Sequence, residues 1–164
     1  MIVVSDTTPL ISLMKINRLN LLEKLYGSVF IPRAVYDELT SNEIYHTETE
    51  FIIQSKFIEC REIINKQALQ ILQAVTSLDL GESEAIILAQ ELNADVLLMD
   101  ESKGRKIAQK LNIPLSGVLG ILIDCFDAKL LTASEVSECL DILQNSGRRI
   151  SGHLINKVRD YINE

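Results

Sequence analysis

The chain has only three cysteines, Cys60, Cys125 and Cys139, an odd and widely spaced set in apolar or helical surroundings. That pattern excludes a disulfide framework and a cysteine zinc site, and it leads us to expect reduced thiols in a cytoplasmic protein. His46 and His153 stand alone, with no second His or Cys at ligand spacing, so both read as surface or structural residues. There are only three prolines, no repeats and no low-complexity tracts, so nothing reads as a linker. No apolar run is long enough to cross a bilayer, and no basic segment precedes an apolar stretch at the start. A cytoplasmic protein without a membrane partner is expected.

Positive charge is also scarce: 16 Lys and Arg stand against 23 Asp and Glu, a net charge of −7. This argues against a nucleic-acid binder that works through a bulk basic field. It leaves room for a nuclease, because a carboxylate site that holds metal adds negative charge of its own. The sequence has no Gly-x-Ser-x-Gly elbow, no Gly-rich loop ending in Lys-Ser or Lys-Thr, and no dinucleotide fingerprint. The acids are the chemistry that remains.

With 164 residues and 47% apolar content, one domain with one packed core is expected. Ile2-Val3-Val4 reads as a buried strand, and Thr7 or Thr8 as the cap of a helix with Pro9 just inside it and Asn17 at its end. A helix over 19–25 stops at Gly27, and Val29-Phe30-Ile31 is a strand closed by Pro32. The next helix buries Ala34, Val35 and Leu39 and carries Asp37 and Glu38 in its last turns. The stretch Ser41 to Lys56 is polar, poorly periodic and only weakly helical. A strand over 57–60 and a helix over 63–75 follow. Leu78 to Gly81 reads as a turn into a helix over 82–92, joined by a short connection to a strand over 95–99. A helix over 103–111, a short strand over 113–115 and helices over 118–125, 133–143 and 153–162 complete the chain.

This α/β alternation predicts a parallel sheet, at whose C-terminal edge ligands bind. Asp6 ends the first strand and Asp100 ends Val96-Leu97-Leu98-Met99, while Glu38 and Glu82 sit near helix ends between them. Either aspartate alone reads equally well as a helix cap. Together, carboxylates at one edge repel each other unless a divalent cation shares them. Glu84 competes with Glu82: counting back from Leu88-Ala89 favours Glu82, and a shift of two residues favours Glu84. Lys103, Arg105 and Lys106 begin the helix beside Asp100, where a phosphate backbone could rest, although such a run is also an ordinary solvated face.

With those acids in place the chain resembles the PIN-domain nucleases, especially the compact prokaryotic branch related to VapC-type toxins. The resemblance rests on Val-Val-Ser-Asp-Thr-Thr-Pro-Leu-Ile-Ser-Leu, Ile-Pro-Arg-Ala-Val-Tyr-Asp-Glu-Leu, and Leu-Gly-Glu-Ser-Glu-Ala-Ile-Ile-Leu-Ala through Leu-Leu-Met-Asp. It implies a three-layer α/β/α sandwich with a mostly parallel sheet, a PIN-like core over about 1–115 and C-terminal helices over about 116–164, all one domain. It also implies Mg²⁺ or Mn²⁺ held by Asp6 and Asp100, with Glu38 and Glu82 (Glu84 as the alternative) completing the cluster. Where many family members have Asp at the third position, this chain has Glu.

The expected activity is metal-dependent hydrolysis of single-stranded RNA, with an antitoxin protein as partner and a homodimer as a further expectation. Ser41 to Lys56 and the C-terminal helices are the candidate surfaces for either. The competing expectation is a PIN-like module that binds nucleic acid or protein with little or no turnover. A receiver-like phosphorylation domain fits poorly, since the first strand supplies one acid where such pockets gather a pair.

Overall fold

The computed structural model describes residues 1–41 and 43–164. The chain opens with β1 (Val3–Ser5) and α1 (Thr7–Lys15), then α2 (Leu21–Tyr26) and β2 (Val29–Pro32). α3 (Arg33–Ser41), a 3-10 turn at Glu43–Tyr45 and α4 (His46–Gln54) precede β3 (Ile58–Arg61). α5 (Lys66–Val75) and α6 (Leu80–Glu91) separate β3 from β4 (Val96–Leu98). α7 (Ser102–Lys110), β5 (Leu115–Ser116), α8 (Val118–Asp127), α9 (Ala133–Asn145) and α10 (Gly152–Ile162) follow.

Among the described residues the strands form one sheet in the order β3-β2-β1-β4-β5, and every pairing is parallel. The chain steps outward from β1 through β2 to β3, then crosses back to lay β4 on the other side of β1. The strand order therefore reverses between β1 and β4, and a crevice opens at their C-terminal ends.

Side chains alternate across the sheet, as the two-residue period of a strand requires. Val3, Val29, Ile31 and Leu98 join the core shared with α1, α2 and α8 to α10, whereas Val4, Leu97 and Met99 join the core under α6 and α7. Helices cover both faces, which is why these short strands are almost wholly apolar. This is the three-layer α/β/α sandwich that the sequence predicts. α6 is buried from Gly81 through Ala89, consistent with its near-continuous apolar sequence.

Several boundaries differ from the sequence reading, each for a local reason. α6 starts at Leu80, not Glu82, because Asp79 and Glu82 form a capping box: Glu82 N–H donates to Asp79 Oδ1 at 2.8 Å and Asp79 N–H to Glu82 Oε2 at 3.0 Å. α1 starts at Thr7, so Asp6 occupies the cap position in place of either threonine. The weakly periodic stretch after Ser41 folds as the 3-10 turn and α4, since Ile52 reaches the core and Thr49 Oγ1 donates to the Leu39 carbonyl at 2.7 Å. Asn42, within that stretch, lies outside the described residues. The last strand falls at Leu115–Ser116, slightly later than 113–115.

Asn17, Asn93 and Asn112 adopt left-handed backbone, with φ of 55°, 50° and 57°, just beyond α1, α6 and α7. Asparagine tolerates that conformation, so each ends its helix cleanly. All three cysteines are free, with Cys125 and Cys139 buried and Cys60 exposed. Among the described residues no helix is long and apolar enough to cross a membrane.

Candidate active site

β1 is the central strand, and it delivers Asp6 to the crevice. Its backbone is fixed there by an Asp6 N–H bond to Leu98 O at 2.9 Å. Although Asp6 stands at the cap position of α1, its side chain makes no capping hydrogen bond. Helix capping therefore does not account for an aspartate that is only 3% exposed. Its carboxyl is pushed up to about 8, chiefly by burial and further by the charges of Asp79, Glu82 and Glu38, against the lowering effect of the Thr7 N–H.

Those three acids reach Asp6 from α6 and α3. Glu38 is held by Thr7, whose Oγ1 donates to Glu38 Oε2 at 2.7 Å. Gly81 lies beside two of these carboxylates: a Cβ there would be in ordinary contact with Glu38 Oε2 at 3.4 Å and Asp79 Oδ1 at 3.5 Å. Glu82 is 9% exposed, and its carboxyl is raised chiefly by burial, against the lowering effect of the Asp79 N–H. Among the described residues no Lys or Arg makes an ion pair with Asp6, Glu38, Asp79 or Glu82.

Glu84 faces a different duty. Its Oε2 accepts the Ala34 N–H at 2.9 Å, filling an otherwise open donor in the first turn of α3. A helix start favours a carboxylate there, so burial of Glu84 has a structural explanation.

Asp100 lies on the other side of the sheet's edge. Val4 pairs with Leu97 and Ser5 with Leu98, so Asp6 continues the Val4 side of the alternation while Asp100 continues the Leu98 side. Asp100 accordingly turns toward α8, where its Oδ1 accepts the Val118 N–H at 3.1 Å and its Oδ2 is buried with no hydrogen-bond partner. Burial raises its carboxyl; the Val118 N–H and the charges of Arg105 and Arg148 lower it. Gly117 leaves the space that Asp100 Oδ1 occupies, because a Cβ there would displace that oxygen. Among the described residues no three of the acids stand at metal-ligand spacing.

The basic residues beside Asp100 divide. Arg105 is committed to backbone, its Nη1 donating to Met99 O at 2.7 Å and Ser116 O at 3.2 Å. Lys103 and Lys106 are exposed. Two contributors escaped the sequence reading. Asp79 was legible, since Asp79-Leu80-Gly81-Glu82 before an apolar run is a capping-box signature. Arg148 had no local signal, because only the packing of the C-terminal helices brings it to Asp100.

A doubly wound parallel sheet with strand-end acids at its switch point defines a three-layer α/β/α sandwich with an acidic crevice. Residues 2–164 match a family model described as a PIN domain, and the chain belongs to the PIN-domain family. PIN domains are generally nucleases and typically bind divalent metals, and the fold implies a nucleic-acid substrate. No curated protein matches the chain.

Proposed function

We propose that this PIN domain is a divalent-metal-dependent endoribonuclease acting on single-stranded RNA, of the VapC toxin type, with Asp6, Glu38, Glu82 and Asp100 as its acids. One observation carries the reading: buried Asp6 feels the charges of Asp79, Glu82 and Glu38, and among the described residues none of the four acids makes an ion pair, the charge of Lys103 acting on Glu82 from further off. Such a group is costly unless a proton or a divalent cation offsets the charge. The donors are all oxygens, which by their chemistry fit Mg²⁺ or Mn²⁺ better than zinc, and Asp100, on the α8 side, keeps a further buried oxygen without a partner.

A bound divalent cation would supply acidity toward water and neutralise charge developing on a phosphodiester. The residues themselves orient and desolvate. Thr7 holds Glu38, the Asp79 amide holds Glu82, and the Val118 amide fixes Asp100 with one oxygen left over. Asp79 joins the proposed set, while Glu84 serves α3. The net reaction adds water across one P–O bond of the strand.

A toxin of this kind requires a restraining partner. The candidate surfaces for an antitoxin or a second copy are the 3-10/α4 segment, where Phe51 and Ile53 are exposed, and the C-terminal helices. A cytoplasmic location follows from the same reading. The second reading, a binding module with little turnover, is favoured by one feature: Asp100 turns to α8 and feels Arg105 and Arg148 instead of facing Asp6.

The test is incubation of the purified protein with single-stranded RNA and Mn²⁺ or Mg²⁺, beside Asp6→Asn. Metal-dependent cleavage lost in Asp6→Asn is expected, together with growth arrest on expression that the same change relieves. Absence of cleavage and of arrest would favour the binding module.

A further inference from the structure

We infer that the loop joining α9 to α10 is a phosphate grip, in which Arg148 and Arg149, with Lys15 beside them, bind the backbone of the single strand that the acids cut. This rests on the nuclease reading and names where its substrate lies.

The first observation is the cleft itself. A cavity of about 760 Å³ opens beside Asp100 and is lined by Asp100 and Glu101, by α1 and by the α9–α10 loop. Lys15, Arg148 and Arg149 are its cationic lining residues and Glu48, Asp100 and Glu101 its acidic ones, and of the proposed acids Asp100 is the one that lines it. A phosphodiester chain needs that pairing: cations to hold its phosphates and acids at the bond to be cut.

The second observation concerns how arginines are used in this molecule. Arg18, Arg33, Arg61 and Arg159 are each paired with a carboxylate, and Arg105 is bonded to backbone carbonyls. Among the described residues Arg148 and Arg149 have neither an ion pair nor a side-chain hydrogen bond. In a chain of net charge −7, two adjacent cleft-lining arginines without an ion pair are the exception, and the charge of Arg148 acts on Asp100 within the same cleft. Guanidinium groups match phosphate oxygens in a two-pronged geometry, which suits them to hold a strand in register.

The loop is also built to hold its place. Gly147 takes a φ of +75°, which lets the chain reverse after α9, and Ile150 N–H donates to Arg148 O at 2.9 Å to close a tight turn. Lys15 Nζ donates to Ser146 O at 3.5 Å, tying the loop to α1 across the cleft, and Ile150 packs on the core. Tyr45 lines the same cleft and offers a ring on which a base can stack. The exposed Lys103 and Lys106 are not among the cleft-lining residues.

The experiment measures binding of a short fluorescein-labelled single-stranded RNA to the full chain by anisotropy over a series of salt concentrations, with cleavage in Mn²⁺ assayed in parallel. Arg148→Ala with Arg149→Ala is expected to weaken binding by roughly tenfold or more. It should also reduce the salt slope by about 0.7 for each phosphate that is no longer neutralised. Arg148→Lys should keep the slope and recover part of the affinity, a result that mere loop damage would not give. Unchanged affinity and slope in the double variant would overturn the grip, as would loss of binding accompanied by a lowered melting temperature with no recovery in Arg148→Lys.

Wild-type cleavage and its dependence on the arginines separate the two readings. Arginine-dependent binding without any wild-type cleavage sinks the nuclease reading and leaves the grip standing. Cleavage that ignores both arginines sinks the grip alone. If the arginines prove instead to hold an acidic peptide while RNA binding is indifferent to them, the grip is wrong.

Discussion

Thr7 Oγ1 donates to Glu38 Oε2 at 2.7 Å, so the residue after Asp6 is what brings the α3 carboxylate to the end of β1. Removing the hydroxyl while keeping the shape, in Thr7→Val, should leave Glu38 unheld. Metal affinity or RNA cleavage is expected to fall on the order of 10-fold, as for other partners that orient ligands. Thr7→Ser should recover most of the loss. Equal metal titrations for Thr7→Val and wild type would show that this bond has no part in the site.

Asp6 makes stability depend on pH in a chelator. In the folded chain its carboxyl keeps its proton up to about 8, whereas in the unfolded chain it ionises near the ordinary value of 3.8. Between those limits the native state binds more protons, so unfolding free energy falls as pH rises. Stability from this group is therefore fully present below about 4 and is lost as pH climbs through about 8. Thermal melts in EDTA should show a declining melting temperature over that window, flattened in Asp6→Asn. A melting temperature independent of pH for wild type would contradict the burial of this acid.

Glu82 and Glu84 should separate cleanly on substitution. Glu84→Ala leaves the Ala34 N–H in the first turn of α3 without its partner and should cost about 1–3 kcal/mol in denaturant unfolding. Cleavage per folded molecule should be unchanged. Glu82→Ala removes one half of a capping box, worth about 1 kcal/mol, and should also depress cleavage. If Glu84→Ala instead abolished metal-dependent activity in a folded protein, Glu84 would have to be placed in the site.

Gly117 is held open for Asp100. A methyl group there collides with Asp100 Oδ1 and approaches Arg105 Nη1 to 3.5 Å. Gly117→Ala should cost about 1–3 kcal/mol, as overpacking does. It should also swing Asp100 off the Val118 amide, which cleavage assays at saturating Mn²⁺ would register as lost turnover. Wild-type turnover in Gly117→Ala would remove Asp100 from the proposed machinery.

Much of the fold was legible locally. Apolar runs such as Val3-Val4 and Val96-Leu97-Leu98 mark buried parallel strands, and Gly27, Asn93 and Asn112 mark helix ends through their left-handed backbone. The start of α6 also carries a short-range signal: the Asp79-x-x-Glu82 capping box sets it at Leu80, two residues ahead of the start that Gly81 suggests. The α4 segment was weakly periodic because it rests on the molecule through few residues, Ile52 and the Thr49 bond chief among them.

The order of residues along the chain was enough to determine that acids would end the two strands flanking the switch point, since strand length and β-branched content are local properties. Tertiary structure alone decided which way those acids turn and what they meet. The register of β1 against β4 puts Asp6 under α6 and Asp100 toward α8, because pairing distant segments fixes which side of the pleat each residue continues. The same packing sends Glu84 to α3 and swings Arg148 back to Asp100, relationships between remote segments that no local pattern encodes.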